Sequence, residues 1–159
     1  MSYSMQSPIS GLINRLSNLS TPLLFAGGLI LQALIMITFA LFWWDPGVIR
    51  PDLSTPLKAF VVVVIAGPLL ETLIFQYAII TSMLNTVKST ALAVPVSALA
   101  FCLTHYYSPQ YVVATFLSGI LFAILFLVFE KKNRRGFLYV LLIHASYNFF
   151  VFIMKHWFN

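Results

Sequence analysis

Residues 58–84 read KAFVVVVIAGPLLETLIFQYAIITSML, an unbroken apolar run with one acidic group, Glu71, near its middle. The run exceeds the about 20 residues that a helix needs to span a bilayer. A charged side chain in such a span costs about 2.5–3.5 kcal/mol on insertion scales and marks a functional candidate. No cation neighbours Glu71 in sequence, so it is expected to face the interior of a helical bundle and to meet polar groups from other helices.

Four further apolar runs flank this one, at 22–44, 90–106, 110–129 and 137–157. They predict an all-α fold: a polytopic integral membrane bundle of about five transmembrane helices. Composition agrees, with 60% hydrophobic and only 8% charged residues and a mean hydropathy of +0.94, against about 25% charged in soluble chains. The expected organisation is an N-terminal cytoplasmic or interfacial segment, 1–21, followed by a single transmembrane domain, 22–157. The net charge of +5 is read as loop charge facing a lipid bilayer, and no nucleic-acid partner is expected. The 22–44 run is too long for a signal-peptide core and ends in Phe42, Trp43 and Trp44, an aromatic belt. Before it, Ser7-Pro8 reads as a helix start. Ile9, Leu12, Ile13, Leu16 and Leu19 follow at helical spacing, as in a helix lying on the membrane surface. The connections are a proline-rich loop at 45–56, a polar turn at 85–89 and a compact charged loop at 130–135. Cys102, the one cysteine, excludes an intrachain disulfide and reads as a packing residue.

Loop charge predicts orientation. Five spans place Arg15, Lys88, Lys131, Lys132, Arg134 and Arg135 on one side, and Arg50, Lys58 and Lys155 on the other. The positive-inside rule then puts the N-terminus in the cytoplasm, most simply across the inner (plasma) membrane.

The other acidic residues, Asp45, Asp52 and Glu130, lie in loops or at span ends. The polar residues available to Glu71 are His105, closing the third span, and His144 and Asn148, four residues apart on one face of the fifth. At about 1.5 Å per residue, their depths overlap that of Glu71. His105 is the worst fit unless the third helix is short or tilted. Singly, each could be an interhelical hydrogen-bonding residue. Four at one level point to a site. No HExxH helix, GxSxG elbow or intramembrane aspartate pair is present, and a Cys102–His105 dyad is the weaker alternative.

These residues carry a resemblance. Pro68-Leu69-Leu70-Glu71-Thr72-Leu73-Ile74-Phe75-Gln76 resembles the PxxEExxFR motif of the CPBP family, the CAAX proteases and bacteriocin-processing membrane enzymes. Phe101 to His105 is similar to its FxxxH motif, and His144 to Asn148 to its HxxxN motif; the resemblance covers about 58–157. It implies an intramembrane endopeptidase with Glu71, His105, His144 and Asn148 as catalytic residues, acting on a membrane-associated protein or peptide. Glu71 would activate a water, His105 would help to hold it, and His144 and Asn148 would stabilise the oxyanion. Two positions depart from the family. Thr72 stands for a second glutamate and Gln76 for an arginine, a neutral pair able to hydrogen-bond behind the site. Pro68 lacks the N–H for the carbonyl of Val64, so a kink there is expected to open a pocket. No cofactor is required in this reading. A zinc version would use Glu71, His105 and His144 as ligands, but leaves no second carboxylate as base. The rival readings are a non-catalytic scaffold or bacteriocin self-immunity protein, and a small ion or proton pathway.

Overall fold

The computed structural model describes residues 7–42 and 55–157. Trp43, Trp44, Asp45, Arg50 and Asp52, and with them most of the expected 45–56 loop, lie outside those residues. Among the described residues six helices follow in order: α1 Pro8–Leu16, α2 Thr21–Phe42, α3 Pro56–Thr86, α4 Thr90–Leu103, α5 Pro109–Asn133 and α6 Gly136–Trp157. No strand occurs among the described residues. The chain is a polytopic helical membrane bundle, with α2, α3, α5 and α6 long and apolar enough to cross a bilayer.

Three helices begin in the same way. Ser7, Thr55 and Ser108 each accept a hydrogen bond from the backbone N–H three residues on, and a proline follows each cap. The hydroxyl satisfies one orphan donor of the first turn, and proline there has no N–H to waste. The 85–89 turn closes on Lys88, which takes a left-handed conformation. The expected charged loop at 130–135 is mostly helix. α5 runs on through Asn133, and only Arg134 and Arg135 turn the chain, with Arg134 at φ 57°. Glu130 allows so short a turn, because its carboxylate accepts the N–H of Gly136 at 3.1 Å and caps α6.

α5 forms the centre. In its apolar stretch 67% of the residues are buried, against 22% or less in the other long helices. Phe122, Ala123, Val128 and Phe129 are fully enclosed. At Gly119 a β-carbon would stand 2.8 Å from the Cα of Ala98, so α4 and α5 touch backbone to backbone there. The outward faces are apolar: Ile30, Leu34, Leu70, Leu92 and Phe150 are all at least half exposed. In water such a surface would drive association; in a bilayer it meets lipid tails. α1 is tied across the near ends of α4 and α5. Ser10 shares a 2.8 Å hydrogen bond with Thr90, Lys131 donates to the side chain of Asn14, and Lys132 donates to the Ser17 carbonyl. Ile13 is buried beneath it, while Leu12 faces outward.

α4 is shorter than the sequence suggests. It stops at Leu103, not Tyr106, so it is about 21 Å long against about 30 Å of hydrocarbon. Its C-terminal end therefore stays at membrane depth.

Candidate active site

Glu71 owes its setting to the hydrogen-bond register of α3. The helix widens to π-type turns over Phe60–Ala66 and Thr72–Ile79, on either side of the α-helical stretch Gly67–Glu71. Such turns are rare and recur at functional sites. The N–H of Gly67 bonds to the carbonyl of Val62, five residues back. In the same register the carbonyl of Val63 would need the N–H of residue 68, and Pro68 has none. Asn148 fills the gap: its Nδ2 donates to Val63 O at 2.9 Å. The carbonyl that takes the outside donor is thus Val63, one residue from the Val64 expected from α-helical spacing. Gly67 suits the widened turn, since a β-carbon there would crowd the Val62 oxygen at 3.0 Å, while Glu71 Oε1 would be in ordinary contact at 3.8 Å.

The two histidines meet the two oxygens of Glu71 separately. His105 Nε2 lies 3.8 Å from Oε1, and His144 Nε2 lies 3.5 Å from Oε2. The early end of α4 makes the first approach possible, because His105 sits in the turn beyond Leu103 and not on a helix that has passed the level of Glu71. Its Nδ1 lies 2.8 Å from the carbonyl of Phe101. A carbonyl only accepts, so Nδ1 carries a proton, and in the neutral ring Nε2 then presents a lone pair to Glu71. Phenyl rings fix both imidazoles: Phe101 packs on His105 at 4.5 Å and Phe122 on His144 at 4.8 Å between ring centres. Tyr107 and Tyr111 stand 6.4 and 6.0 Å from His105, and Tyr106 beside them is exposed.

Of the residues singled out in the sequence, Glu71, His105 and His144 come together. Asn148, one turn from His144, spends an amide hydrogen on Val63. Thr72 and Gln76 are both fully buried, and the hydrogen bond of which this neutral pair is capable is not made; among the described residues Thr72 Oγ1 and both amide atoms of Gln76 lack partners. The reason is the π segment that holds both, which shifts the i,i+4 alignment an α-helix would give. Cys102 is buried and donates to the Leu99 carbonyl. Among the described residues no three His, Cys, Asp or Glu side chains are grouped so as to hold a metal ion. Sequence reasoning missed Gly67, Phe122 and the Val63 carbonyl. Only Gly67, directly before Pro68, left any trace in the sequence.

A family model described as type II CAAX prenyl endopeptidase Rce1-like matches residues 53–150. The chain belongs to this family. The match covers well over half of the 159 residues and takes in α3, α4, α5 and the part of α6 that carries His144 and Asn148. It agrees with the resemblance carried by the three motifs. No curated protein and no solved structure matches the chain. This Rce1-like chain is thus a membrane-embedded member of a protease family.

Proposed function

We propose that this protein is an intramembrane endopeptidase of CAAX protease-like type, in which Glu71 activates a water against a peptide bond of a membrane-associated protein or peptide. The observation that carries the reading is the placing of one histidine nitrogen at each oxygen of the Glu71 carboxylate.

His105 Nε2 and Glu71 Oε1 are both acceptors, and a water between them can donate one hydrogen to each. Its lone pairs then face the substrate. As the water oxygen bonds to the carbonyl carbon, Glu71 takes the proton that the water loses. The carbonyl oxygen becomes an oxyanion and accepts the N–H of His144 Nε2, which Glu71 releases as it is protonated; one such donor is worth about 2.7–4 kcal/mol. Asn148 adds the amide hydrogen that Val63 leaves free, since an amide nitrogen carries two. Glu71 then delivers its proton to the leaving nitrogen as the C–N bond breaks. No metal ion enters these steps. Loop charge supports a cytoplasmic N-terminus.

The experiment compares peptide profiles of cells with and without the protein, then presents the candidate substrate to purified protein in liposomes. Cleavage is expected with the parent and not with Glu71→Gln, and a chelator leaves the rate unchanged. Loss on chelation with recovery on added zinc would establish the zinc version. Absence of cleavage by the parent on a substrate that accumulates in the deletion strain would favour a scaffold or immunity protein.

A further inference from the structure

Nδ1 of His144 and Oε1 of Gln32 are two of the buried polar atoms that lack hydrogen-bond partners among the described residues. Gln32 belongs to α2, outside the family-matched residues, and is only 4% exposed. A buried polar group left unpaired costs about 1–3 kcal/mol, so each of the two calls for a complement.

Contacts one turn away on either side fix the level of Gln32. Four residues before it, a β-carbon at Gly28 would meet Leu125 Cδ1 at 2.8 Å and Ile143 Cδ1 at 2.9 Å. Four residues after it, Met36 Sδ lies 3.8 Å from Ser118 Oγ. Gly28, Gln32 and Met36 form one stripe of α2. On α5 the point midway between Leu125 and Ser118 is at Leu121 and Phe122. The ring of Phe122 packs on that of His144, and His144 directly follows Ile143. Gln32 therefore faces the interior where the imidazole of His144 sits. Its side chain leans toward the N-terminus of α2, back toward the level of Ile143.

Chemistry assigns the polarity. Glu71 Oε2 is an acceptor 3.5 Å from His144 Nε2, which calls for the proton on Nε2. Nδ1 then carries a lone pair and needs a donor. No hydrogen bond joins Gln32 to His144 in the structure, so the contact requires the Gln32 side chain to turn toward the ring, with its amide rotated by a half-turn to present nitrogen in place of oxygen. We propose that Gln32 is a positioning residue: its amide N–H donates to Nδ1 of His144 and so holds the ring proton on Nε2, toward Glu71. The contact stands independently of catalysis; its consequence rests on the reading of His144 as oxyanion donor. Thr72 Oγ1, also buried and unpartnered beside Glu71, is the competing donor and supplies the control.

The test is the ¹⁵N spectrum of the histidine rings in the full chain in lipid bilayers. The chain has 3 histidines, His105, His144 and His156, and single replacements assign them. The proton of His144 is expected on Nε2. Gln32→Met, of equal length but without a donor, should give mixed tautomers, while Gln32→Glu, whose carboxyl O–H can donate, should restore one. Thr72→Val should leave the spectrum unchanged. Molecules with the ring proton on Nδ1 lack the His144 donor to the oxyanion, so Gln32→Met should lower kcat by the factor that the remaining Nε2–H fraction sets, with KM little changed. A wild-type proton on Nδ1, a Gln32→Met spectrum identical to the parent's, or a tautomer shift caused by Thr72→Val overturns the proposal. A shift with unchanged kcat leaves the contact in place and overturns the catalytic role of His144. The wild-type spectrum and Gln32→Glu keep the test decisive even if Gln32→Met fails to fold.

Discussion

The amide of Asn148 donates to the backbone carbonyl of Val63 at 2.9 Å, across the gap that Pro68 leaves in the hydrogen-bond ladder of α3. One side chain thereby ties α6 to the widened turn that precedes Glu71. The proline, the π register and the asparagine explain one another: without Asn148 the Val63 carbonyl would face the helix interface unpaired.

This relationship predicts a coupled pair. Asn148→Ala should destabilise the protein by about 1–3 kcal/mol, the cost of an unpaired buried polar group. Pro68→Ala restores an N–H five residues after Val63, so it should recover part of that loss in the double variant. Thermal unfolding of the four proteins in detergent measures the cycle. Strictly additive losses would show that Pro68 and Asn148 do not share the Val63 carbonyl.

Thr72 and Gln76 give a second cycle. Both side chains are wholly enclosed, so Thr72→Glu or Gln76→Arg alone places an unpaired charge inside the bundle and should lower expression or thermal stability. Glutamate and arginine are long enough to bridge the offset that the π segment imposes on threonine and glutamine, so the double variant should regain much of the loss, with a coupling of roughly 0.5–3 kcal/mol. Equal losses that simply add would mean that the π segment keeps the two side chains apart.

How far the sequence could be read follows from what side-chain chemistry encodes. Long apolar runs announce α2, α3, α5 and α6, because a lipid-facing helix has few other compositions available. Glu71, His105 and His144 stand out for the same reason: ionisable groups are expensive in such runs. The π turns of α3 were not legible, since a hydrogen-bond register depends on neighbouring helices more than on local side chains. Asn148 was visible as polar, but its partner is a backbone carbonyl, and every residue has one. The length of the turn at Arg134 depends on one contact, Glu130 to Gly136. Gln32 lay in plain view as the one amide of α2, without a motif to attach it to.

Orientation can be measured directly. A reporter placed after Asn159 should be active outside the cytoplasm, and one inserted between Arg134 and Arg135 should be cytoplasmic, because lysine and arginine in short loops set topology. The reverse pattern would invert the bundle. Two cytoplasmic reporters would show that α6 does not cross.

The central claim is that Glu71, with one histidine at each oxygen, activates the attacking water. Its most direct test is the cleavage rate of a verified substrate by the parent, Glu71→Gln, His105→Ala and His144→Ala in the same liposomes, with folding checked by thermal unfolding. Glu71→Gln keeps the shape of the side chain and removes the base, and loss of such a base typically lowers a rate by about 10²–10⁴-fold. All three variants should fold and give no detectable product. Full turnover by a folded Glu71→Gln protein would contradict the account.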